Sequence, residues 1–473
     1  MVIPWFYIFI GSYLLWVLAA CGTLLMERRS PTATLAWIFA FIAIPVLSGF
    51  YYILFGPRRL QRKRRRYNIA RGTVRRGPAA PSKLELPRDA VGLAAVARRL
   101  EQGEPTFASA VKLLDDGDQC LVALEEAIVA SKHHVHMEYY IWEPDQTGTH
   151  FRDLLVDAAK RKVEVRVLYD DLGSPGMSNS FWAPLREAGG EVLEFNSVRF
   201  RLYRWHLGNF RTHRKIAICD GLTGFLGGMN LHDPVCSTRA GKDAWRDQHV
   251  RIDGEPAQRI QQLFLENWNY SGGAFKLNEQ NAERYFPQAR VGKGIPMQII
   301  ASGPDDLNAP MHAYFLAALS TARERVLIET PYLIPDEPLE TALRIAELRG
   351  VDVQVIVPKH GDSKLVTAAS HTYCESLRKA GIKVFEYGPP MLHAKTMVID
   401  NTVAVIGTAN MDNRSFRLNF EIAAAFYDSD IIAKMVKRFE DDRAVCKPFP
   451  PRNRSEKLTA LLESIARLTS PVL

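Results

Sequence analysis

Hydrophobic and polar positions along the chain keep two different rhythms. Residues 2–26 and 31–56 carry no charged side chain, and only Glu27-Arg28-Arg29-Ser30 separates them. A helix needs about 20 apolar residues to cross a bilayer core, so each run is long enough. Trp5, Tyr7, Tyr51 and Tyr52 stand toward the ends of the runs, where amphipathic rings favour the interface. The pattern predicts two membrane helices, the second kinked at Pro45, which lipid-embedded helices tolerate. A shallow re-entrant hairpin is the alternative. A cleaved signal peptide fits poorly: the first run lacks a basic leader, is too long, and is followed at once by the second.

From about residue 105 the rhythm becomes that of alternating helices and strands. In the first half, 118–131 and 151–161 read as helices, and 184–188 as the end of a third. Strands are expected at 134–142, 163–169 and 191–195. The second half repeats the order. Helices are expected at 310–325, 337–348 and 364–380, and strands at 326–332, 351–357 and 382–387. Local phrases match too: LREAGGEVLEF at 185–195 against LRKAGIKVFEY at 377–387. This alternation predicts an α/β fold, a sheet covered by helices on both faces. The repetition predicts two units, 105–285 and 286–473, with 272–292 as the linker. Residues 57–104 divide into a basic juxtamembrane segment and, from 77, a flexible tether.

Charge sharpens this picture. Residues 57–76 hold ten Arg/Lys and no acid; without them the chain has 50 basic against 52 acidic residues. A nucleic-acid partner is therefore not expected, since such proteins spread basic residues over a working face. A block directly after a membrane helix instead holds its flank in the cytoplasm, which puts both termini and the catalytic part on that side. It can also hold anionic lipid headgroups. Six cysteines, at 21, 120, 219, 236, 374 and 446, show no paired spacing and read as reduced thiols.

The candidate chemistry is written twice. His213 and Lys215 are followed by Asp220, and His393 and Lys395 by Asp400. Each copy runs on to a small-residue turn and an asparagine, Asn230 and Asn410. All four offsets equal 180 residues. A phosphodiester needs a nucleophile, a proton donor for the departing alkoxide, and positive charge for its oxygens. Two imidazoles and two ammonium groups supply all of these without a metal or cofactor. The apolar run 216–219 suggests a strand that puts His213 and Lys215 on one face. By the same alternation Asp220 and Asp400, although part of the motif, turn away and are expected to fix the strand and its turn. Each histidine also needs an orienting acid, and Asp247 and Glu421 follow the motifs. His133, His134 and His136 lack a carboxylate or cysteine at zinc spacing and are read as ordinary strand or surface residues.

These motifs resemble the phospholipase D superfamily, whose signature is HxKxxxxD, and within it the bacterial cardiolipin synthases. The likeness includes MEYYIWEPD near 137–145, HRKIAICDG, IIASGPDD at 299–306, ETPYLIPDE at 329–337, LHAKTMVID and GTANMDNRSFRLNFE. It implies tandem α-β-α sandwich units related by a pseudo-twofold axis. It also implies condensation of two phosphatidylglycerols into cardiolipin and glycerol at a bacterial inner membrane. By resemblance His213 is the nucleophile and His393 the proton donor. Lys215, Lys395, Asn230 and Asn410 hold the phosphate, and Asp247 and Glu421 orient His213 and His393 respectively. A hydrolase releasing phosphatidic acid, or a transferase with another donor or acceptor, would use the same residues.

Overall fold

The protein is seen as a computed structural model that describes residues 5–26, 31–45, 47–49, 52, 67–74, 86–197, 209–289, 294–306, 308–451 and 466. Most of the basic block and the closing C-terminal segment lie outside the described residues. The chain divides into two compact units, 1–65 and 66–473.

In the first unit, Trp5–Met26 is a helix long and apolar enough to cross a membrane, and among the described residues it alone meets that length. The second apolar run is interrupted near Pro45, where a kink was expected. Its helix Pro31–Ala43 has 13 residues, about 20 Å against a hydrocarbon core of about 30 Å. The chain bends at Ile44 before helical residues resume. Pro45 explains the break, because it lacks an N–H and its ring crowds the carbonyl four residues earlier. The two helices touch: Trp16 meets Phe41 edge-on at 5.3 Å, and the Tyr13 hydroxyl donates to the Ile42 carbonyl at 2.5 Å.

The second unit is built on one mixed sheet. The first half supplies β1 (Thr106–Leu114), β2 (His134–Tyr139), β3 (Glu164–Asp170), β4 (Glu191–Phe195), β5 (Ile216–Cys219), β6 (Thr223–Gly227) and β7 (His249–Gly254). The second supplies β8 (Ile295–Ser302), β9 (Arg325–Glu329), β10 (Leu333–Ile334), β11 (Asp352–Pro358), β12 (Lys383–Tyr387), β13 (Thr396–Ile399), β14 (Val403–Gly407), β15 (Met411–Asp412), β16 (Glu421–Phe426) and β17 (Lys447–Pro448). Only β10 and β15 pair apart from the main sheet. Its order is β17-β12-β11-β9-β13-β14-β16-β8-β1-β7-β6-β5-β2-β3-β4. Read outward from the antiparallel β1–β8 seam, where Phe107 faces Pro296, the two halves follow the same path. Strands β2, β3 and β4 are parallel, as their crossover helices Gln146–Lys160 and Asn179–Glu187 require. Strands β9, β11 and β12 repeat this.

Packing follows the same logic. One apolar layer is shared by both halves. Ile260, Phe264 and Trp268 of helix Glu255–Tyr270 and Met435 and Phe439 of helix Ser429–Ala444 cover Ile216, Ile252, Ile299 and Ile422. Each half also has its own layer, around Trp142, Phe151 and Trp182 in one and Tyr314, Leu343 and Leu377 in the other. Truncating one such aromatic to alanine costs about 3–5 kcal/mol, so the shared layer couples the halves strongly.

Two expected connectors are ordered structure. The tether from 77 contains helix Arg88–Arg99, whose Ala90, Leu93, Ala94 and Ala97 are buried in the second half's core. These apolar residues recur at helical spacing within a charged stretch. The linker 272–292 contains helix Glu279–Tyr285, opened by an Asn278 capping box, and buries Phe275, Tyr285 and Phe286.

Candidate active site

Neither His-x-Lys pair lies within a regular strand. Strand β5 begins at Ile216 and β13 at Thr396, so each pair occupies the extended segment leading in. That segment leaves its own sheet neighbours and bonds to the other half. The His213 N–H donates to the Phe420 carbonyl at 3.0 Å, and the Phe420 N–H to the Arg211 carbonyl at 2.9 Å. In mirror fashion the His393 N–H donates to the Arg246 carbonyl at 2.7 Å, and the Arg246 N–H to the Met391 carbonyl at 2.8 Å.

Phe420 and Arg246 each precede a carboxylate, and this crosses the acids over. The His213 Nδ1 lies 3.1 Å from Glu421 Oε2, and the His393 Nδ1 lies 2.6 Å from Asp247 Oδ2. The expected pairing of Asp247 with His213 and Glu421 with His393 is therefore corrected: each half orients the other half's imidazole. A ring nitrogen facing a carboxylate carries the proton, which leaves the Nε2 of each ring for substrate.

Both acids are held in place. Glu421 accepts from the Thr408 hydroxyl at 2.5 Å and the Asn419 amide at 3.2 Å, and Asp247 from the Gln248 N–H at 2.7 Å. A Cβ on Gly228 would lie 2.0 Å from Asp247 Oδ1, so the glycine turn after the first motif makes room for the acid. Burial alone would raise both carboxyl pKa values, but Lys395 and His393 outweigh it at Asp247, as His213 does at Glu421, and both are held below the usual range.

The two lysines fold back onto their own motifs. Lys215 Nζ donates to the His213 carbonyl at 2.8 Å. Lys395 Nζ donates to the His393 carbonyl and sits 2.9 and 3.2 Å from the two ring nitrogens. Nδ1 cannot donate to Asp247 and accept from the ammonium at once, and the shorter contact to Asp247 is the hydrogen bond, with the ammonium beside the ring. Burial, then mutual repulsion, lowers Lys215 well below its ordinary range. Burial brings Lys395 down to about 8. Burial likewise brings both His213 and His393 to about 4. The site gathers basic groups that have given up water, so an entering anion favours their protonated forms.

The remaining motif residues divide. Asn230 and Asn410 are buried. Asn230 Oδ1 accepts from the Ile141 N–H at 3.2 Å, and the Asn410 N–H donates to Ser415 Oγ at 3.1 Å. Asp220 and Asp400 sit at the far ends of β5 and β13 with left-handed φ of 51° and 49°. Asp220 accepts from the N–H groups of Lys132, His133 and His134 at 2.8–2.9 Å. Asp400 does the same for Arg323, Glu324 and Arg325 at 2.8–2.9 Å. Their place in the site set is thus that of turn anchors.

His134 and His136 are buried strand residues, the latter stacked on Phe264 at 4.6 Å. All six cysteines are free. Aromatic walls complete the site: Tyr140 lies 4.9 Å from the His213 ring, and Trp245 lies 5.0 Å from the His393 ring.

Comparison with known proteins places this arrangement. The family described as "Cardiolipin synthase, PLD-like domain" matches residues 124–268 and 315–443, one match per half. The chain belongs to the phospholipase D-like cardiolipin synthases. An N-terminal family, "Phospholipase_D-nuclease N-terminal", matches residues 14–57. Cardiolipin synthase 1 of Bacillus anthracis is 35% identical, over 99% of this chain and 94% of its own length. The major cardiolipin synthase ClsA of Bacillus subtilis (strain 168) is 36% identical over 98% of each chain. The crystal structure of the phosphatidylserine synthase of Haemophilus influenzae Rd KW20 superimposes with a TM-score of 0.58. At 14% identity, over 80% of this chain and 100% of that one, it is a likeness of fold.

In this cardiolipin synthase family member, sequence reasoning passed over Tyr140 and Trp245, and took Gly228 only as part of a small-residue turn. The double glycine before Asn230 was the one available signal. Nothing local marks an aromatic as a wall rather than a core residue.

Proposed function

We propose that the protein is a cardiolipin synthase that transfers a phosphatidyl group between two phosphatidylglycerols. The observation that carries this reading is the pair of buried imidazoles in one site, each backed by an acid from the opposite half. His213 Nε2 attacks phosphorus, the bond to the glycerol oxygen breaks, and a proton from His393 goes to that oxygen. The anionic phosphodiester raises the proton affinity of His393, so that it can serve as the acid. The second phosphatidylglycerol then gives its hydroxyl proton back to His393. Its oxygen attacks phosphatidyl-His213, the phosphorus–nitrogen bond breaks, and His213 is restored. Lys215, Lys395, Asn230 and Asn410 hold the phosphoryl oxygens, while Asp220 and Asp400 support the strands. Family relatives named as cardiolipin synthases over nearly the whole chain support the choice of substrate.

The apolar N-terminus supports residence in the bacterial inner membrane. In this reading 31–56 forms a second, Pro45-interrupted span, and the basic block keeps the catalytic part cytoplasmic. A reporter fused after Leu473 should be active only inside the cell; activity outside would refute that orientation.

Product analysis tests the activity. Purified protein with labelled phosphatidylglycerol in mixed micelles containing EDTA should yield cardiolipin and glycerol in equal amounts. Phosphatidic acid as sole lipid product would make it a hydrolase.

A further inference from the structure

The two halves differ at one position beside the site. Asn230 and Asn410 are each followed, two residues on, by a buried polar residue: His232 in the first half and Asp412 in the second. In both halves the residue between packs into the core. Leu231 bridges Trp142 and belongs to the first half's apolar layer; Met411 pairs with Leu333 and belongs to the second's. Extended alternation therefore turns His232 to the same side as Asn230, and Asp412 to that of Asn410.

Asp412 has a structural task. Its carboxylate caps the short helix Asn413–Arg417 by accepting from the Ser415 N–H at 2.6 Å. His232 stands at the equivalent cap of Asp233–Val235 and makes no side-chain cap bond. Its Nε2 is buried and meets no hydrogen-bond partner among the described residues. At 3% exposure it is enclosed much as His213 and His393 are, at 8% and 6%. Its ring lies 5.0 Å from Trp245, edge to face, and Trp245 in turn lies 5.0 Å from His393. Asp247, the acid behind His393, and Lys215 both act on it electrostatically. A buried polar atom without a partner, next to a reacting centre, is a place where substrate completes the hydrogen bonding.

We propose that His232 is a substrate-contacting residue that hydrogen-bonds the alcohol group handled by His393, the departing glycerol and the incoming hydroxyl alike. A neutral imidazole offers one donor and one acceptor, which matches a hydroxyl. This rests on the transferase reading above. It also gives the pseudo-symmetric site a difference between its two sides, with an alcohol pocket beside His393.

The test compares full-length wild type, His232→Phe and His232→Gln in mixed micelles with labelled phosphatidylglycerol. It reads the KM and the ratio of cardiolipin to phosphatidic acid, with unfolding midpoints as control. Phenylalanine keeps the ring without donor or acceptor; it should raise KM and lower the transfer ratio by about tenfold, the worth of one hydrogen bond. Glutamine keeps a donor and an acceptor and should recover most of that loss. Both values within twofold of wild type for His232→Phe would overturn the assignment, as would glutamine no better than phenylalanine. Wild type giving only phosphatidic acid would sink the transferase reading alone. The KM for phosphatidylglycerol hydrolysis would then still report on His232.

Discussion

Replacing Glu421 by glutamine removes a charge from the first imidazole while keeping its neighbour's size. The carboxylate lies 3.0–3.1 Å from His213 Nδ1 and is fully buried. The amide oxygen of glutamine can still accept from Nδ1–H, so the hydrogen bond survives and the charge is what is lost. The phosphatidyl-imidazole formed on His213 is cationic. With about 4 Å between charge centres and an effective dielectric of about 20, the carboxylate stabilises that cation by roughly 4 kcal/mol. With the oxygen kept at the Oε2 position, which also accepts from the Thr408 hydroxyl, the new amide hydrogens face the Asn419 amide, which can flip. Allowing for such relaxation, about 3 kcal/mol of transition-state stabilisation should disappear, a rate loss of about 10²-fold. The assay is single-turnover formation of cardiolipin from labelled phosphatidylglycerol, with unfolding midpoints measured alongside. A rate within threefold of wild type for a folded variant would refute the cross-half role of Glu421.

Three further outcomes are expected. Gly228→Ala places a Cβ against Asp247 Oδ1 and should lower kcat by about 10-fold or more, the scale of a displaced orienting acid, with unfolding little changed; unchanged kcat would show that Asp247 need not sit there. Lys395, brought to about 8 by burial, is charged below that pH and neutral above it, so kcat/KM should fall above about pH 8. Lys395→Arg should move that limb upward, and an unmoved limb would assign it elsewhere. Asp220→Ala removes the acceptor for three backbone N–H groups and should cost roughly 2–4 kcal/mol of stability. The kcat of its folded fraction should stay near wild type, and a large selective loss of kcat would return Asp220 to the chemistry.

Much of this architecture was legible in the chain. The helix–strand alternation, the duplication and the motif residues depend on local periodicity and on spacing, which a sequence displays directly. The crossed acids were not legible. Asp247 and Glu421 each follow a motif in sequence, and proximity along the chain suggested proximity in space. Their separation of 174 residues, against 180 for the motifs, already showed that they stand outside the strict repeat. The partner of His213 is set by the bridge of Thr212 to Phe420, a long-range pairing that no local pattern encodes. Helix Arg88–Arg99 was hidden by its charged face, because its buried alanines are small and its only large buried residue is Leu93. The break in the second apolar run, by contrast, was legible, because Pro45 cannot donate the helix hydrogen bond.

The most direct test of a single site built by both halves is to trap the intermediate. His393→Ala, given a phosphatidyl donor with a p-nitrophenol leaving group, has no need of a proton donor for the first step and lacks the base for the second. The expected result is a burst of one equivalent of p-nitrophenol per protein, with the phosphatidyl group on the peptide containing His213. No burst, or a label on any other residue, would contradict the assignment of nucleophile and proton donor to opposite halves.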